Sequence, residues 1–257
     1  MRQELIILDE NEIATSRERE EVKPAMTNGE VKSAMKKSRR EIKYLLSYAE
    51  YLVIRSRISL LLDYDKHVGE NGYFVSSIYF DDIRETAYRE KVDGVFDRRK
   101  YRIRTYNKNQ GFIRLECKEK YNRYISKQSA RINEDICESL LNGDFSILHD
   151  NNDKVLKQFY FTAKETGLRS VICVDYHREA FVYPASNLRI TFDINLKASF
   201  EDELSIPIYQ NNNVIMEIKY DDFMPEFIRA VIPHETAKAL SISKYRMCMS
   251  VAKALHS

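Results

Sequence analysis

Arg98, Lys100, Arg102 and Arg104 stand at every second position of the stretch RRKYRIRTY, with Tyr101, Ile103 and Thr105 between them. On a β-strand, where side chains alternate faces, this spacing aims four cations at the same side. Guanidinium forks and ammonium groups gathered in this way bind carboxylate or phosphate and stabilise charge on their oxygens. Water, a nucleic acid and a buried polyanion are the three things such a row can face.

The same alternation recurs elsewhere. FIRLECKEK puts Arg114, Glu116, Lys118 and Lys120 on one face and Ile113, Leu115 and Cys117 on the other. RYISKQSAR carries Arg123, Lys127 and Arg131 on one parity, LRITFDI sets Arg189, Thr191 and Asp193 against Leu188, Ile190 and Phe192, and NVIMEIKY sets Glu217 and Lys219 against Val214, Met216 and Ile218. In each strand an apolar row backs a charged one. Two geometries satisfy this: a sheet with its charged face in water, or a closed antiparallel barrel with the charged rows inside and helices covering the apolar rows outside. Period alone leaves both open.

The elements that must hold these rows follow from period and punctuation. RREIKYLL reads as a first strand, and Ser47-Tyr48-Ala49-Glu50 is a capping-box pattern opening a helix to about Leu62. YFVSSIYFDD is a strand, RETAYREKV a helix ended by Gly94, and RRKYRIRTYN pairs with FIRLECKEKY across the short Asn109-Gln110-Gly111 connection. RYISKQSARI continues the meander, helices are expected over about Asn133 to Leu141 and Asp153 to Thr166, and strands over RSVICVDYHREAFVY, LRITFDI and NVIMEIKY. A helix from about Ser243 to Leu255 closes the chain. About eight strands result, mostly antiparallel because their connections are short.

Composition narrows the partners. The net charge of the 257-residue chain is only +2, which gives no global basic excess of the kind that announces nucleic acid. Between Arg98 and Arg131, however, twelve Lys or Arg face two acids, Glu116 and Glu119, so the positive charge is local. Cys117, Cys137, Cys173 and Cys248 are scattered without metal-ligand spacing, which fits reduced thiols in a cytoplasmic protein. No stretch approaches the ~18 apolar residues of a membrane span, so any membrane association would need a membrane-protein partner. Residues 1–37 are polar, without a sustained period, and read as a tail or arm; 38–257 read as one domain. Neither glycine-rich phosphate loop is present, so side chains must do what a backbone nest does elsewhere.

Taken in order, RREIKY, SIYFDD, AYREKVDG, RRKYRIRTY, LECKEK, SKQSAR, YHREAFV, LRITFD, MEIKY and SKY resemble the VTC domain, the polyphosphate polymerase domain of the vacuolar transporter chaperone complex and its bacterial relatives. That family is one of the triphosphate tunnel metalloenzymes. The resemblance implies an α+β fold, a closed antiparallel β-barrel of about eight strands with a charged interior and helices packed outside. It implies that Arg102, Arg104, Lys118, Arg178, Arg189 and Lys244 act on the transferred phosphoryl, and that Lys43, Lys127, Tyr176 and Ser243 hold substrate. Glu217 matches the acidic residue associated with a divalent cation, Mn2+ or Mg2+. The implied reaction moves the γ-phosphoryl of ATP onto a growing inorganic polyphosphate chain, which is itself the nucleophile. No histidine base is then required, and the five histidines form no site-like cluster.

Several residues keep a plainer expectation. Arg98 and Arg99 suit a site entrance or surface, Asp81 and Asp82 a strand end, Tyr79, Tyr88 and Tyr220 packing, and Glu116 the spacing of neighbouring cations. Asp193 is expected to orient Arg189 or reach the metal. Of the tunnel enzymes' E-x-E-x-K strand only Glu41-Ile42-Lys43 remains, so Glu41 is a salt-bridge partner of a base or a metal contact. The thinner acidic complement favours transfer to phosphate over hydrolysis by a tunnel-type triphosphatase; a non-catalytic binder of polyphosphate or nucleic acid is the rival of another class. The chain has no room for the sensing domain and membrane helices of the eukaryotic complexes, so the expected form is the stand-alone bacterial one. Oligomeric state is left open by the sequence.

Overall fold

The computed structural model describes residues 39–66, 71–107, 109, 111–121, 124–200, 205–208, 213–232 and 240–256. The expected tail at 1–37 lies outside them, as do His67 and His234. In chain order the elements are β1 (Arg40–Leu46), α1 (Tyr48–Leu61), β2 (Asp63–Tyr64), β3 (Tyr73–Asp81), α2 (Thr86–Val92), β4 (Arg98–Tyr106), β5 (Ile113–Tyr121), β6 (Tyr124–Ile132), α3 (Glu134–Leu141), α4 (Lys154–Thr166), β7 (Arg169–Tyr183), β8 (Leu188–Ser199), β9 (Ile206–Pro207), β10 (Val214–Tyr220), α5 (Glu226–Val231) and α6 (Lys244–His256). The chain is α+β, and every strand pair whose register is described is antiparallel.

The chain divides into two compact units. The first comprises Met1–Gly69, Ala180–Phe192 and Val214–Ile242. In it β1 runs beside β10, with Lys43 opposite Glu217 and Glu41 opposite Lys219, and β2 pairs with the end of β7. The capping box at Ser47 forms as the sequence predicts: Glu50 N–H donates to Ser47 Oγ, and Ser47 N–H donates back to Glu50. Tyr51, Ile54 and Ile58 bury one side of α1, where Tyr51 meets the edge of Phe192 at 5.3 Å.

The second unit comprises Glu70–Glu179, Asp193–Asn213 and Ser243–Ser257. Here β7, β3, β4, β5 and β6 lie side by side. The apolar rows of β4 to β6 (Tyr101, Ile103, Ile113, Leu115, Cys117, Ala130) are buried against Leu140, Leu148, Val155, Leu156, Phe159 and Ala163 from α3, α4 and the turn between them. The α4 contribution is a helical stripe started by Asp153, whose carboxylate accepts from Val155 and Leu156 N–H, and ended by Gly167 in the left-handed region. The core therefore takes one face of the sheet, and that leaves the charged rows on the other. Gly72, at φ +70, lies so close to β7 that a Cβ would stand 2.5 Å from the Arg178 carbonyl oxygen.

Two expectations change. β1 has β10 as its one described neighbour and β6 has β5, so the path of paired strands has two ends. Among the described residues the expected closed barrel is therefore corrected to one that is not fully closed. Alternation fixes which residues share a face, whereas closure needs two edges to exchange backbone hydrogen bonds, which no local pattern records. Among the described residues there are also ten strands rather than about eight, the extra ones being the two-residue β2 and β9, too short to carry a period. β8 runs on to Ser199, beyond the LRITFDI signal.

Candidate active site

The charged rows are only partly in water. In the second unit Glu116, Arg104 and Asp193 are buried, and two of them are carboxylates enclosed by cations. Arg102 donates from Nε to Glu116 at 2.8 Å, and its Nη2 is 2.7 Å from the same oxygen. Lys127 Nζ reaches the other oxygen at 2.7 Å, and Arg104 Nη1 stands 3.8 Å from the oxygen that Arg102 holds. Burial pushes the Glu116 carboxyl up, but Arg102, Arg104 and Lys127 overcome it and hold it down at about 2. The expected role of Glu116 as a spacer of cations matches this geometry, since β4 sets Arg102 opposite it and β6 sets Ser129 opposite it.

Arg104 continues the network. Its Nε donates to Ser77 Oγ at 3.0 Å and its Nη2 to the Tyr176 hydroxyl at 3.3 Å. The Tyr176 ring lies beneath two more cations, Arg178 at 5.2 Å and Lys244 at 4.8 Å. Both end on Asp193: Arg178 as a two-pronged fork at 2.5 and 2.7 Å, Lys244 through its ammonium. Burial acts to raise the Asp193 carboxyl, yet Arg178 and Lys244 bring it below the usual carboxylate range. Ser243 caps α6, its carbonyl accepting from Met247 N–H and its Oγ from Arg246 N–H. Lys244 thus enters from the first turn of a helix. Lys118 is exposed and stands in register between Lys100 and Lys127.

The first unit holds a smaller cluster. Lys43 Nζ lies 2.8 Å from Glu41 and donates to the Ile242 carbonyl at 3.3 Å. Lys219 lies 2.8 Å from Glu217 and 3.7 Å from Glu41, joining the two carboxylates. Arg189 pairs with Asp65 at 3.0 Å.

The sequence profile of the VTC domain matches residues 38–253. The chain belongs to the VTC domain family. This places the VTC domain described here in a family of tunnel-type phosphoryl-transfer enzymes. No curated protein matches its sequence. Among solved structures it is similar to a protein of Bacillus halodurans provisionally named an adenylate cyclase, with a TM-score of 0.46, 14% identity and coverage of 74% of this chain and 83% of that one. It is also similar to the PH1819 protein of Pyrococcus horikoshii, with a TM-score of 0.44, 12% identity, and coverage of 82% and 99%.

Of the residues read from the sequence, Arg102, Arg104, Lys127, Tyr176, Arg178 and Lys244 form one connected network in the second unit of the VTC domain, with Ser243 beside Lys244. Lys43 and Glu217 face each other in the first unit, and Arg189 is held there by Asp65. Asp193 orients Arg178 and Lys244 instead of Arg189, because the neighbouring strand and α6 supply closer cations than its own row does. Tyr79 does more than pack: its hydroxyl accepts from Arg102 Nη1 at 3.0 Å. Asp81 ends β3 as expected, and also accepts from the Tyr245 hydroxyl at 2.5 Å. Sequence reasoning passed over Ser77 and Asp65 as partners, whereas Lys219 stands beside Glu217 as its row predicts. Ser77 and Tyr79 do share a parity on β3, the one signal that could have found them.

No group of three or more His, Cys, Asp or Glu able to hold a metal occurs among the described residues. Small hard divalent ions are commonly held by one or two carboxylates together with phosphate oxygens and water. Glu217 with Glu41 fits that requirement, the two being linked through Lys219. No described helix is long and apolar enough to cross a membrane.

Proposed function

We propose that this VTC domain is a divalent-metal-dependent polyphosphate polymerase, transferring the γ-phosphoryl of ATP to the end of an inorganic polyphosphate chain. The observation that carries this reading is the charge imbalance of the second unit. Five cations, Arg102, Arg104, Lys127, Arg178 and Lys244, are gathered on two buried carboxylates, Glu116 and Asp193. The carboxylates fix the guanidinium planes, and the surplus positive charge calls for a polyanion.

In the transfer, the bond from the γ-phosphorus to the bridging oxygen breaks and ADP leaves with the electron pair, while a terminal oxygen of the polyphosphate forms the new P–O bond. Arg102, Arg104 and Arg178 orient the phosphates and spread the charge that grows on non-bridging oxygens. Lys244 and Lys127 add point charges, and the Tyr176 hydroxyl fixes the angle of Arg104. Within the first unit, Glu217 with Glu41 would hold a divalent ion, Mn2+ or Mg2+. Glu116 and Asp193 are held ionised by their cations and are poor proton acceptors near neutrality, which favours a phosphate nucleophile over an activated water.

The test is incubation of the purified protein with ATP and Mn2+, with products resolved on a gel. A lengthening polyphosphate ladder is expected. Free phosphate alone would make the protein a triphosphatase, and retained polyphosphate binding without turnover would make it a binder.

A further inference from the structure

Two members of the opening row stand outside the network: Arg98, which donates to the Val95 carbonyl, and Lys100. Its ammonium nitrogen is buried and makes no hydrogen bond. It sits 4.7 Å from the centre of the Tyr245 ring, in the first turn of α6. A ring face attracts the charge, yet it cannot satisfy three N–H donors.

The surroundings sharpen the imbalance. Arg98 and Arg102 flank Lys100 on β4, Lys118 stands directly across from it on β5, and Lys91 faces it from α2. Like charges placed opposite each other on neighbouring strands destabilise the pair. The carboxylates within electrostatic reach are Asp81 on β3 and Glu90 on α2. Asp81 is already used: it accepts from the backbone N–H of Asp82, Ala87 and Tyr88 and from the Tyr245 hydroxyl. Glu90 has its own carboxyl raised, first by burial and then by Asp81. Tyr245 stacks on Tyr79, which in turn holds Arg102, so Lys100 and Arg102 are tied to the same aromatic pair.

We propose that Lys100 is a further substrate-binding residue, taking a phosphate oxygen of a linear polyphosphate one step along β4 from Arg102. This rests on the polyanion reading of the site. The step of two residues spans ~6.6 Å, which extends the cation row beyond what a single phosphate needs and suits a chain. Burial, followed by Arg98 and Lys91, lowers the Lys100 ammonium to about 7, so near pH 8 most of it is neutral until an anion arrives. Binding then draws a proton onto Lys100, and affinity that depends on that proton falls as pH rises through about 7.

Tripolyphosphate is the probe, titrated by calorimetry at pH 8 in two buffers of different ionisation enthalpy. The unaltered protein should take up more protons per ligand bound than Lys100→Met does, and Lys100→Met should bind at least tenfold more weakly. Its melting temperature should be equal or higher, because an unpaired buried ammonium has been removed; a purely structural lysine would lower it. Equal affinity and equal proton uptake in the two proteins would overturn the assignment of Lys100 alone. Failure of the unaltered protein to bind tripolyphosphate would overturn it together with the polyanion reading. If Lys100→Met does not fold, Lys100→Gln and the proton uptake of the unaltered protein carry the same decision.

Discussion

The two charged clusters of this VTC domain are built on different principles. In the second unit five cations share two carboxylates that are almost wholly enclosed, Glu116 at 3% and Asp193 at 0% side-chain exposure. In the first, Lys43 and Lys219 balance Glu41 and Glu217, and three of these four side chains are between 22% and 34% exposed. The former is a rigid, positively charged cradle whose geometry is set before any ligand binds. The latter is neutral overall, two ammonium groups against two carboxylates, and more open to water. Arginine dominates where planar forks must be fixed, and lysine where a contact must be exchanged.

The sharpest way to break this contrast is to remove Asp193. Asp193→Asn leaves Arg178 and Lys244 buried without a countercharge, and should lower the unfolding free energy by ~3–5 kcal/mol in urea titrations at pH 7. A loss below ~1 kcal/mol would mean the cradle is not held by its carboxylates.

Glu116 comes next. Its carboxyl, held down at about 2, contributes stability that is complete above the usual glutamate range and is lost as pH falls through about 2. That contribution is about 3 kcal/mol in order of magnitude. Glu116→Gln should therefore be less stable at pH 7 and show a flatter acid-unfolding curve between pH 4.5 and 2. Parallel curves for the two proteins would remove Glu116 as the anchor.

In the first unit the effect shifts from stability to turnover. Glu217→Gln should abolish divalent-dependent turnover while the melting temperature stays within a few degrees; unchanged turnover would take Glu217 out of the site. Smallest of all, Lys219→Met should alter the unfolding free energy by less than ~1 kcal/mol, since its ammonium is a third exposed and screened by water. A loss as large as that of Asp193→Asn would erase the distinction between the clusters.

Much of this was legible in the chain itself. The Ser47 capping box, the Asn133 and Asp153 helix starts and the charged and apolar rows of β4 and β5 are all in the structure where the pattern puts them. Glu116 could be read as a partner of cations because it sits on a cationic row. For Asp193 the pairing with Arg189 that its parity suggested is replaced by bonds to Arg178 on another strand and to Lys244 on a helix. The short α5 and the two-residue strands carried too few residues for any period to register.

Side-chain alternation is a local property of extended backbone. RRKYRIRTY therefore determined by itself that Arg98, Lys100, Arg102 and Arg104 share a face, and that Tyr101 and Ile103 back them in the core. What that face meets is a long-range matter. Only the tertiary structure decided that Arg102 and Arg104 converge on Glu116, that Lys100 lies over Tyr245 without a hydrogen-bond partner, and that the path of described strands ends at β1 and β6. Strand neighbours and helix docking depend on the burial of the whole chain, and no period within one segment encodes them.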